Sequence, residues 1–427
     1  MSKNRLTNPL RLSQPAGAAL AFSGIKGCVP LWHGVQGCTA FAKILFISHF
    51  REPMPFQTTG LGQANVVMGG DDNVFEALDN LKDSAQMVGI LTTGVAETSG
   101  VDLEGLVKQA KTAHPGWPIC GVSTPDFEGS LETGWVKACA SMLDQWVGAK
   151  TKTNGQEIGF FVSPYLTPGE VEELRRIAED LSLVPRIFPD LGDAMMGYLP
   201  EPGALGKTGG GIGLKEIEGL SNLGTLVSVG RSMEETTAVF GKKHQIPTFH
   251  FDNLTEIGQI DELFRLMLGL SGQPMPRRYA KERQFLQDTL LDVETYFYGR
   301  KVGLLGDPDL IHRFLSPLEA MGIDTFAVSS LGTSEYPEGD LESVLALLPL
   351  EKPDLLLGNS HVAELAHEEG LGAIRAGYPV EDRIGGQTWV RLGYKGAAWF
   401  YMELANAFIA HPKGVAPYVS PLQATLI

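Results

Sequence analysis

Residues 157–181 read EIGFFVSPYLTPGEVEELRRIAEDL and contain the two signals that decide the fold. The first half is an uninterrupted apolar run that ends in a serine and a proline, which is typical of a strand buried in a parallel sheet. The second half predicts a helix over 167–181, because Thr167 is a suitable N-cap and Pro168 suits the first turn. The acidic residues that follow favour the positive end of the helix dipole.

The same strand–helix unit recurs along the chain. Five more apolar runs end in turn-forming residues and precede helical stretches, namely MVGILTTG (87–94), PICGVSTP (118–125), GTLVSVG (224–230), KVGLLGDPD (301–309) and PDLLLGNS (353–360). This alternation predicts an α/β protein of Rossmann-like domains, each a doubly wound and mainly parallel sheet flanked by helices. Such sheets bind ligands beyond the carboxyl ends of their strands, so the loops after the strands are the expected functional positions.

The length of the chain predicts several domains. Its 427 residues exceed what one hydrophobic core usually serves. Polar, turn-rich stretches at 150–156 (KTKTNGQ) and 271–278 (SGQPMPRR) are candidate boundaries, and a further strand begins at Lys301. The predicted division is an N-terminal domain over 1–152, a middle Rossmann-like domain over 153–298, and a C-terminal Rossmann-like domain with a tail over 299–427.

Composition and charge exclude several classes of function. Hydrophobic residues make up 43% of the sequence and charged residues 20%, the balance of an ordinary globular protein. The net charge of −16 argues against a general nucleic-acid binder or a binder of acidic membranes. No stretch reaches the roughly 20 uncharged apolar residues of a membrane span, and no signal peptide is expected. Four scattered cysteines do not suit a disulfide framework, which predicts a reduced, cytoplasmic protein.

The segment VPLWHGVQGCTAFAKILFISHFREP, residues 29–53, is the most informative one for function. Cys38 lies in it between Gly37 and Thr39, just after a turn-like stretch. Glycine lets the backbone approach a bulky inorganic cluster, and a thiolate is a soft ligand that suits iron–sulfur clusters. A lone cysteine is also a common small core residue, and no CxxC pair is present. These residues alone therefore favour core packing without excluding a metal ligand.

Longer blocks of the sequence resemble a known family. NPLRLSQPAGAALAF (8–22) and PLWHGVQGCTAFAKILFISHFREPMPFQTT (30–59) look like the N-terminal region of the nitrogenase component 1 superfamily. Further likenesses follow in the same order, namely GGDDNVFEAL (69–78), GILTTGVAETSGVDL (89–103), STPDFEGS (123–130), GDPDL (306–310), GNSH (358–361) and RAGYP (375–379). Within the superfamily the chain is most similar to the β-like subunits of NifEN-type scaffolds, which assemble the nitrogenase cofactor.

The departures from the superfamily are as informative as the matches. The resemblance implies three cysteines for a catalytic β subunit, which supplies them to an eight-iron cluster. Ser13 and Gly94 occupy two of those positions, and Asp126 replaces a serine that can approach the same cluster. Only Cys38 is kept. The scaffold family implies instead that an α-like partner gives three thiolates and that Cys38 is the fourth ligand of a shared 4Fe–4S cluster.

The same resemblance implies the setting of that cluster. The chain is expected to pair with an α-like, NifE-type subunit in a heterotetramer and to share the intersubunit 4Fe–4S cluster with it. The complex would hold the iron–molybdenum cofactor precursor, mainly on the partner, and would mature it there. The nitrogenase iron protein, the cofactor donor and apo-nitrogenase are the further expected partners. No catalytic residue is predicted in this chain, and neither nucleic acid nor a membrane is an expected partner.

The other cysteines carry weaker expectations. Cys28 precedes Cys38 by ten residues but lies in a KGCVP turn, at a position that the family does not use for ligation. Cys120 lies in the apolar run PICGV and is predicted to be strand core. Cys139 lies at helical spacing from Trp135 and is predicted to be helix core.

Several polar residues leave alternatives open. His33 either orients the loop of Cys38 or is simply packed in the core, and packing is favoured. His49 and Arg51 contact the partner, steer an anionic precursor or form an ordinary buried ion pair. Asp71 and its neighbour Asp72 are expected to open a helix. His361 follows a predicted strand, a position that suits a site, but the sequence shows no partner for it.

Four other functions are weighed against the leading hypothesis. A catalytic β subunit of a nitrogenase-like reductase conflicts with Ser13 and Gly94. A subunit of a dark-operative protochlorophyllide reductase also shares a four-iron cluster, but the QGCTAF and HFREP blocks fit it less well. The vanadium-system counterpart of the scaffold is not distinguished by one chain. A structural partner without a cluster would leave Cys38 as a core residue.

Overall fold

The computed structural model describes residues 8–199 and 209–412. There the chain forms three four-stranded sheets, each parallel throughout and flanked by helices, which confirms the predicted α/β class. Parts of the predicted domains, including the C-terminal tail, lie outside the described residues. The division at 152/153 and 298/299 stays a prediction. None of the helices in these two described ranges is long and apolar enough to cross a membrane.

The first sheet carries the predicted ligand loop. Its strands are β1 (Cys28–His33), β2 (Gln57–Thr58), β3 (Met87–Thr92) and β4 (Ile119–Val122), in the order β2-β1-β3-β4. Its helices are α1 (Gln14–Ser23), α2 (Gln36–Phe50), α3 (Gln63–Met68), α4 (Asp71–Leu81), α5 (Gly94–Thr98), α6 (Leu103–Ala113) and α7 (Leu131–Trp146). The chain leaves β1 towards β2 on one side and then crosses to β3 on the other. The crevice beyond the carboxyl ends of β1 and β3 is therefore a topological switch point, where doubly wound sheets bind ligands.

The other two sheets repeat this strand order. The second has β5 (Asn154–Val162), β6 (Val184–Phe188), β7 (Leu223–Val229) and β8 (Thr248–Phe251), in the order β6-β5-β7-β8. The third has β9 (Lys301–Gly306), β10 (Asp324–Ser329), β11 (Leu355–Gly358) and β12 (Gly372–Arg375), in the order β10-β9-β11-β12.

Helices connect and cover these two sheets. Those after the second sheet's strands are α8 (Pro168–Asp180), α9 (Leu191–Met195), α10 (Leu214–Glu218), α11 (Glu234–His244), α12 (Ile257–Ser271) and α13 (Arg277–Phe297). Those of the third are α14 (Pro308–Glu319), α15 (Leu341–Glu351), α16 (Ser360–Glu368) and α17 (Gly393–Ala410). Short 3₁₀ helices lie at Gly219–Asn222, Arg231–Met233 and Gly386–Thr388. The last helix, α17, returns to pack along α13, so it ties the third sheet to the second.

Residues 157–181 form the predicted strand and helix. β5 is buried from Ile158 to Val162. The helix predicted over 167–181 is α8, and it begins with a capping box: Thr167 Oγ1 accepts from the N–H of Glu170 at 3.2 Å, and the Glu170 carboxylate accepts from the N–H of Thr167 at 2.9 Å. Local hydrogen bonding therefore fixes the start of the helix where its sequence predicts.

Glu170 also joins the second and third sheets. Its side chain is fully buried and accepts from the guanidinium of Arg313 in α14 and from the N–H of Arg391 at 2.8 Å. Arg313 donates in addition to the carbonyl of Tyr165. Because an unpaired buried charge is costly, this set of bonds holds α8 against α14.

A buried acidic cluster lies where elements of all three sheets meet. The N–H of Asp309 donates to Glu132 at 3.0 Å, and the N–H of Glu132 donates to Asp307 at 3.3 Å. Ser163, after β5, donates to Asp309 at 2.5 Å. Burial raises the pKa of Glu132 well above its usual range, and the negative charges of Asp307 and Asp309 raise it further. The fold therefore favours the protonated form of Glu132.

Replacing Glu132 with glutamine is expected to remove part of the loss of stability at high pH. An acidic group whose pKa is higher in the folded protein than in the unfolded protein contributes its full stabilisation of the fold at pH values below the unfolded pKa. This stabilisation is lost as the pH rises through the folded pKa. Glutamine keeps an acceptor for the N–H of Asp309 and cannot ionise. The variant should therefore become more stable than the wild type as the pH rises, with the difference growing with pH.

Urea unfolding midpoints measured at about pH 6 and about pH 9 check this expectation. The slope of the free energy of unfolding against pH reports the difference in bound protons between the unfolded and folded states. Glu104→Gln is the matched control, because Glu104 also lies in the first turn of a helix, α6, but is exposed. Its slope should equal that of the wild type. If Glu132→Gln also keeps the wild-type slope, Glu132 is not protonated in the fold.

Candidate metal site

Cys38 lies at the switch point of the first sheet. β1 ends at His33, a short loop follows, and α2 begins at Gln36, so Cys38 sits in the first turn of that helix. Its side chain is partly exposed, and the space beside Gly37 is open. The structure therefore places the thiol at the carboxyl edge, partly exposed and packed on one side against the hydrophobic core.

The loop before Cys38 is held from behind by the buried His33. Its Nδ1 lies 3.1 Å from Thr59 Oγ1, which also accepts from the N–H of Gly34 at 3.3 Å. Burial lowers the pKa of His33, and this outweighs the opposing charge of Asp71. A Cβ on Gly34 would lie 2.3 Å from Thr93 Oγ1, so the loops after β1 and β3 touch here. His33 is thus both a packed core residue, as favoured, and a support of the loop.

The loops after β3 and β4 complete the crevice. Gly94 is the first residue of α5, directly after β3, and Asp126 follows β4. A Cβ on Gly94 would lie 2.0 Å from Asp126 Oδ1 and 3.3 Å from Phe127 Cδ1. The carboxylate of Asp126 therefore fills the space into which a side chain at position 94 would project.

The environment of Cys38 favours the neutral thiol in this chain alone. Burial raises the pKa of Cys38, and the negative charge of Asp126 raises it further. A bound metal reverses this balance, because a coordinated thiol is deprotonated outright.

Ser13 lies at the same edge of the molecule. It is the N-cap of α1, and its neighbours bind the loop that follows Asp126: Arg11 Nε donates to the carbonyl of Gly129 and Gln14 Nε2 to that of Glu128, both at 2.7 Å. The structure thus brings positions 13, 38, 94 and 126 to one edge of the first sheet. The outermost two, 13 and 126, are 113 residues apart in the sequence.

The remaining cysteines are core residues. Cys28 begins β1, which corrects the expectation of a turn, and burial raises its pKa. Cys120 in β4 and Cys139 in α7 are buried as predicted; burial raises the pKa of Cys120 to about 12. In the described ranges no three His, Cys, Asp or Glu side chains are grouped so as to hold a metal. Cys38 could supply one thiolate to a metal cluster, and the described residues around it supply no second one.

The outer face of α2 is apolar and exposed. Phe41, Ile44 and Ile47 lie at helical spacing on this face and are 79%, 63% and 42% exposed, whereas Phe46 and Phe50 on the opposite face are fully buried. This face is not among the features predicted from the sequence, although a helix that is apolar all round is a signal of burial on both sides.

The end of α2 is anchored on the third sheet. Nδ1 of the buried His49 accepts from the N–H of Val380 at 2.9 Å, and Arg51 donates to the carbonyl of Glu381 at 3.1 Å. Burial lowers the pKa of His49 to about 3, so the ring is neutral. Of the three expectations for these residues, the buried ion pair is wrong, and burial excludes His49 from contact with a partner.

Two further expectations concern residues away from Cys38. Asp71 is the first residue of α4 and Asp72 the second, so they open a helix as predicted. His361 lies in the first turn of α16, beside Arg375 and Asp382, which form an ion pair with each other. The pocket that His361 lines is bordered by Ser48 and Arg51 at the C-terminal end of α2, and Cys38 is not among its lining residues.

Comparison with known proteins defines the class of protein. Residues 13–409 match the model of the family described as nitrogenase component 1 type oxidoreductase. The chain belongs to this family, which confirms the resemblance seen in its sequence. The fold agrees: the solved structure "Nitrogenase Cp1 at pH 6.5" superposes with a TM-score of 0.86 at 26% identity, over 96% of this chain and 94% of that one.

Curated relatives are more specific. A protein of Bradyrhizobium diazoefficiens is 35% identical over 428 residues, which cover 96% of this chain and 91% of the relative. Proteins of a Nostoc species and of Klebsiella pneumoniae are 33% and 32% identical, over 96% and 97% of this chain and 94% of each relative. All three are named nitrogenase iron-molybdenum cofactor biosynthesis protein NifN.

Proposed function

We propose that this chain is the β-like subunit of a scaffold that matures the precursor of the nitrogenase iron–molybdenum cofactor. It pairs with an α-like, NifE-type subunit in a heterotetramer and shares an intersubunit 4Fe–4S cluster with it. Cys38 is the ligand from this side, and the partner supplies the other three thiolates. The complex holds the cofactor precursor mainly on the partner subunit.

The main observation that supports this proposal is that a single thiol lies at the switch point. The other two positions where the family pattern has a thiolate are occupied by Ser13 and Gly94. Cys38 is partly exposed in the first turn of α2, while Gly94 and Ser13 at the same edge offer no thiol. Thiolates are the ligands that iron–sulfur clusters require, and four are needed for a 4Fe–4S cluster. The missing ligands must therefore come from another chain.

The surroundings of Cys38 support a partner chain at this edge. The exposed apolar face of α2 begins three residues after the thiol, and Phe127 beside Gly94 is 62% exposed. Contiguous exposed apolar patches mark sites of protein–protein contact. A partner that covers this face would also close the site over Cys38 and exclude water from it.

The bound cluster supplies one-electron transfer, and this chain's residues hold and shield it. The His33–Thr59 pair fixes the loop, and the first turn of α2 presents the thiolate. The proposed further partners are the nitrogenase iron protein, the donor of the precursor and apo-nitrogenase. The proposed location is the cytoplasm, because a reducing compartment keeps a ligand thiol free of disulfides.

Replacing Cys38 with alanine tests the proposal. The purified complex is expected to lose about four iron atoms per αβ unit and the electron paramagnetic resonance signal of a reduced 4Fe–4S cluster. Cys139→Ala is the matched control, since it removes a buried thiol from α7 at a helix position that alanine suits. It should keep both the iron and the signal.

Two results would overturn this function in different ways. Unchanged iron content and signal in Cys38→Ala would leave Cys38 as a structural residue and the chain as a partner without a cluster. An eight-iron signal from the wild-type complex would identify a catalytic β subunit instead. The vanadium-system counterpart of the scaffold is distinguished by the metal that the matured cofactor carries.

A further inference from the structure

The switch point of the second sheet already holds a carboxylate. The chain leaves β5 towards β6 on one side and then crosses to β7 on the other, so ligands are expected beyond the carboxyl ends of β5 and β7. Ser163 follows β5, and Gly230, Arg231 and Ser232 follow β7. The side chain of Asp309 lies between these two loops, although Asp309 belongs to α14 of the third sheet.

Three hydrogen-bond donors surround this carboxylate. Asp309 Oδ1 accepts from the N–H of Arg231 at 2.8 Å. Oδ2 accepts from the hydroxyls of Ser163 and Ser232, the first at 2.5 Å. Asp309 is 2% exposed, so these bonds take the place of water around the carboxylate. Since a hydrogen bond to an ionised group is roughly twice as strong as one between neutral groups, the three donors form a site that suits an oxyanion.

Gly230 lets the loop after β7 close around the carboxylate. Its φ of 94° lies in the region that favours glycine. A Cβ at this position would lie 2.3 Å from Cβ of Ser163 and 3.2 Å from Asp309 Oδ2, so a side chain would separate the two loops. Turns of this kind direct backbone N–H groups at an anion in many phosphate sites. The loop is therefore built as an anion site, and its ligand is a side chain of the same protein.

The corresponding place in the third sheet is filled from the same segment. The chain crosses from β9 to β10 and then to β11, so this switch point lies beyond β9 and β11. Asp307 lies there and accepts from the hydroxyls of Tyr165 and Ser330. The cavity that remains between Asp307 and Tyr378 has a volume of about 10 Å³, enough for one water at most. Residues 306–310 thus close two switch points with two carboxylates.

We propose that the loops after β5 and β7 form an oxyanion-binding site that Asp309 occupies as an internal ligand. The carboxylate holds α14 against the second sheet and keeps external oxyanions out of the switch point. This role belongs to the fold of the chain and does not depend on a cluster at Cys38. Small carboxylates are the class of ligand that the site takes when the side chain of Asp309 is removed.

Replacing Asp309 with alanine in the whole chain vacates the site and tests this role by chemical rescue. The variant should unfold at a lower temperature than the wild type, because three donors lose their acceptor. Sodium formate should raise its unfolding temperature, since a ligand that binds only the folded state stabilises it. Sodium chloride at the same ionic strength is the salt control. Asp309→Asn is the matched variant, because its amide keeps the site filled and formate should then act no more strongly than chloride.

A second substitution locates the bound formate. Ser232→Ala in the Asp309→Ala background removes one of the three donors, and Ser232 is only half-buried. A hydrogen bond to a charged group contributes enough for the affinity for formate to fall about tenfold. The affinity follows from the dependence of the unfolding temperature on the formate concentration.

Stabilisation of Asp309→Ala by formate beyond that by chloride, weakened by Ser232→Ala, supports the oxyanion site. A formate effect no larger than the chloride effect overturns it. An equal formate effect in the wild type or in Asp309→Asn, or an affinity that Ser232→Ala leaves unchanged, places the formate elsewhere and overturns it too. If Asp309→Ala is unfolded in chloride, circular dichroism after refolding replaces the unfolding temperature. Formate must then restore the folded fraction, and its failure to do so contradicts the proposal.

Discussion

Replacing Glu170 with alanine is expected to lower the free energy of unfolding by about 3–5 kcal/mol, the cost of removing one partner from a buried ion pair. Glu170 is 0% exposed, and Arg313 is 6% exposed. Without the carboxylate, the guanidinium keeps the carbonyl of Tyr165 as its one hydrogen-bond acceptor among the described residues, and the N–H of Arg391 loses its acceptor. Half of the capping box of α8 is lost as well, because the N–H of Thr167 loses its acceptor, whereas Thr167 Oγ1 still accepts from the N–H of residue 170.

The control for this prediction is an ion pair that also joins two sheets but is exposed. Asp144 in α7 pairs with Lys243 in α11 at 3.1 Å, and their side chains are 76% and 54% exposed. Asp144→Ala should cost about 0–1 kcal/mol, because water screens such pairs. Urea titrations followed by circular dichroism measure both variants. A cost for Glu170→Ala as small as that for Asp144→Ala would show that the buried pair does not hold α8 against α14.

A double variant distinguishes the cost of leaving the charge of Arg313 unpaired from the cost of the lost packing. Replacing Arg313 with methionine in the Glu170→Ala background removes the unpaired guanidinium and keeps most of the buried volume. Replacing both members of a buried ion pair with apolar side chains changes the free energy of unfolding little, whereas a single charge left buried without its partner is strongly destabilising. The double variant should therefore be more stable than Glu170→Ala alone, although the N–H of Arg391 remains without its acceptor in both.

The central strands could be predicted from the sequence, and most of the edge strands could not. β3, β5, β7, β9 and β11 have helices on both faces, so their residues are nearly all apolar and stand out as runs. β8, at an edge, exposes Thr248 and Phe249, and its mixed composition gives no such signal. β1 is central but contains Pro30, which breaks the pattern of a strand. The sequence of the ligand segment therefore gives no strand signal at these positions.

The identity of the candidate ligand could be predicted, but its surroundings could not. Cys38, Ser13 and Gly94 stand out by comparison with the family pattern, which needs only their order along the chain. The contact between Gly94 and Asp126 joins residues from the loops after two different strands, and only the order of the sheet brings these loops together. The same holds for Glu170 and Arg313, which are 143 residues apart and carry no local motif that pairs them.

The second large expected effect is a weaker association with the proposed partner chain when the exposed apolar face of α2 is changed. Phe41 and Ile44 project into solvent three and six residues after Cys38, so we expect the proposed partner to contact them where it reaches Cys38. Aromatic and apolar anchors at the centre of an interface contribute about 2 kcal/mol or more each. A glutamate in their place would in addition be buried without a partner charge.

The double variant Phe41→Glu with Ile44→Glu is therefore expected to weaken association with the α-like subunit about 100-fold or more, since each tenfold corresponds to about 1.4 kcal/mol. Both side chains are exposed, so the fold of this chain should be unaffected. Val239→Glu in α11 is the control, because Val239 is 61% exposed and lies beside the second sheet. Sedimentation of the purified complex over a dilution series measures the association. A double variant that stays assembled at the same dilution as Val239→Glu would show that α2 does not face the partner. The proposed shared cluster would then require a partner that approaches Cys38 from another direction.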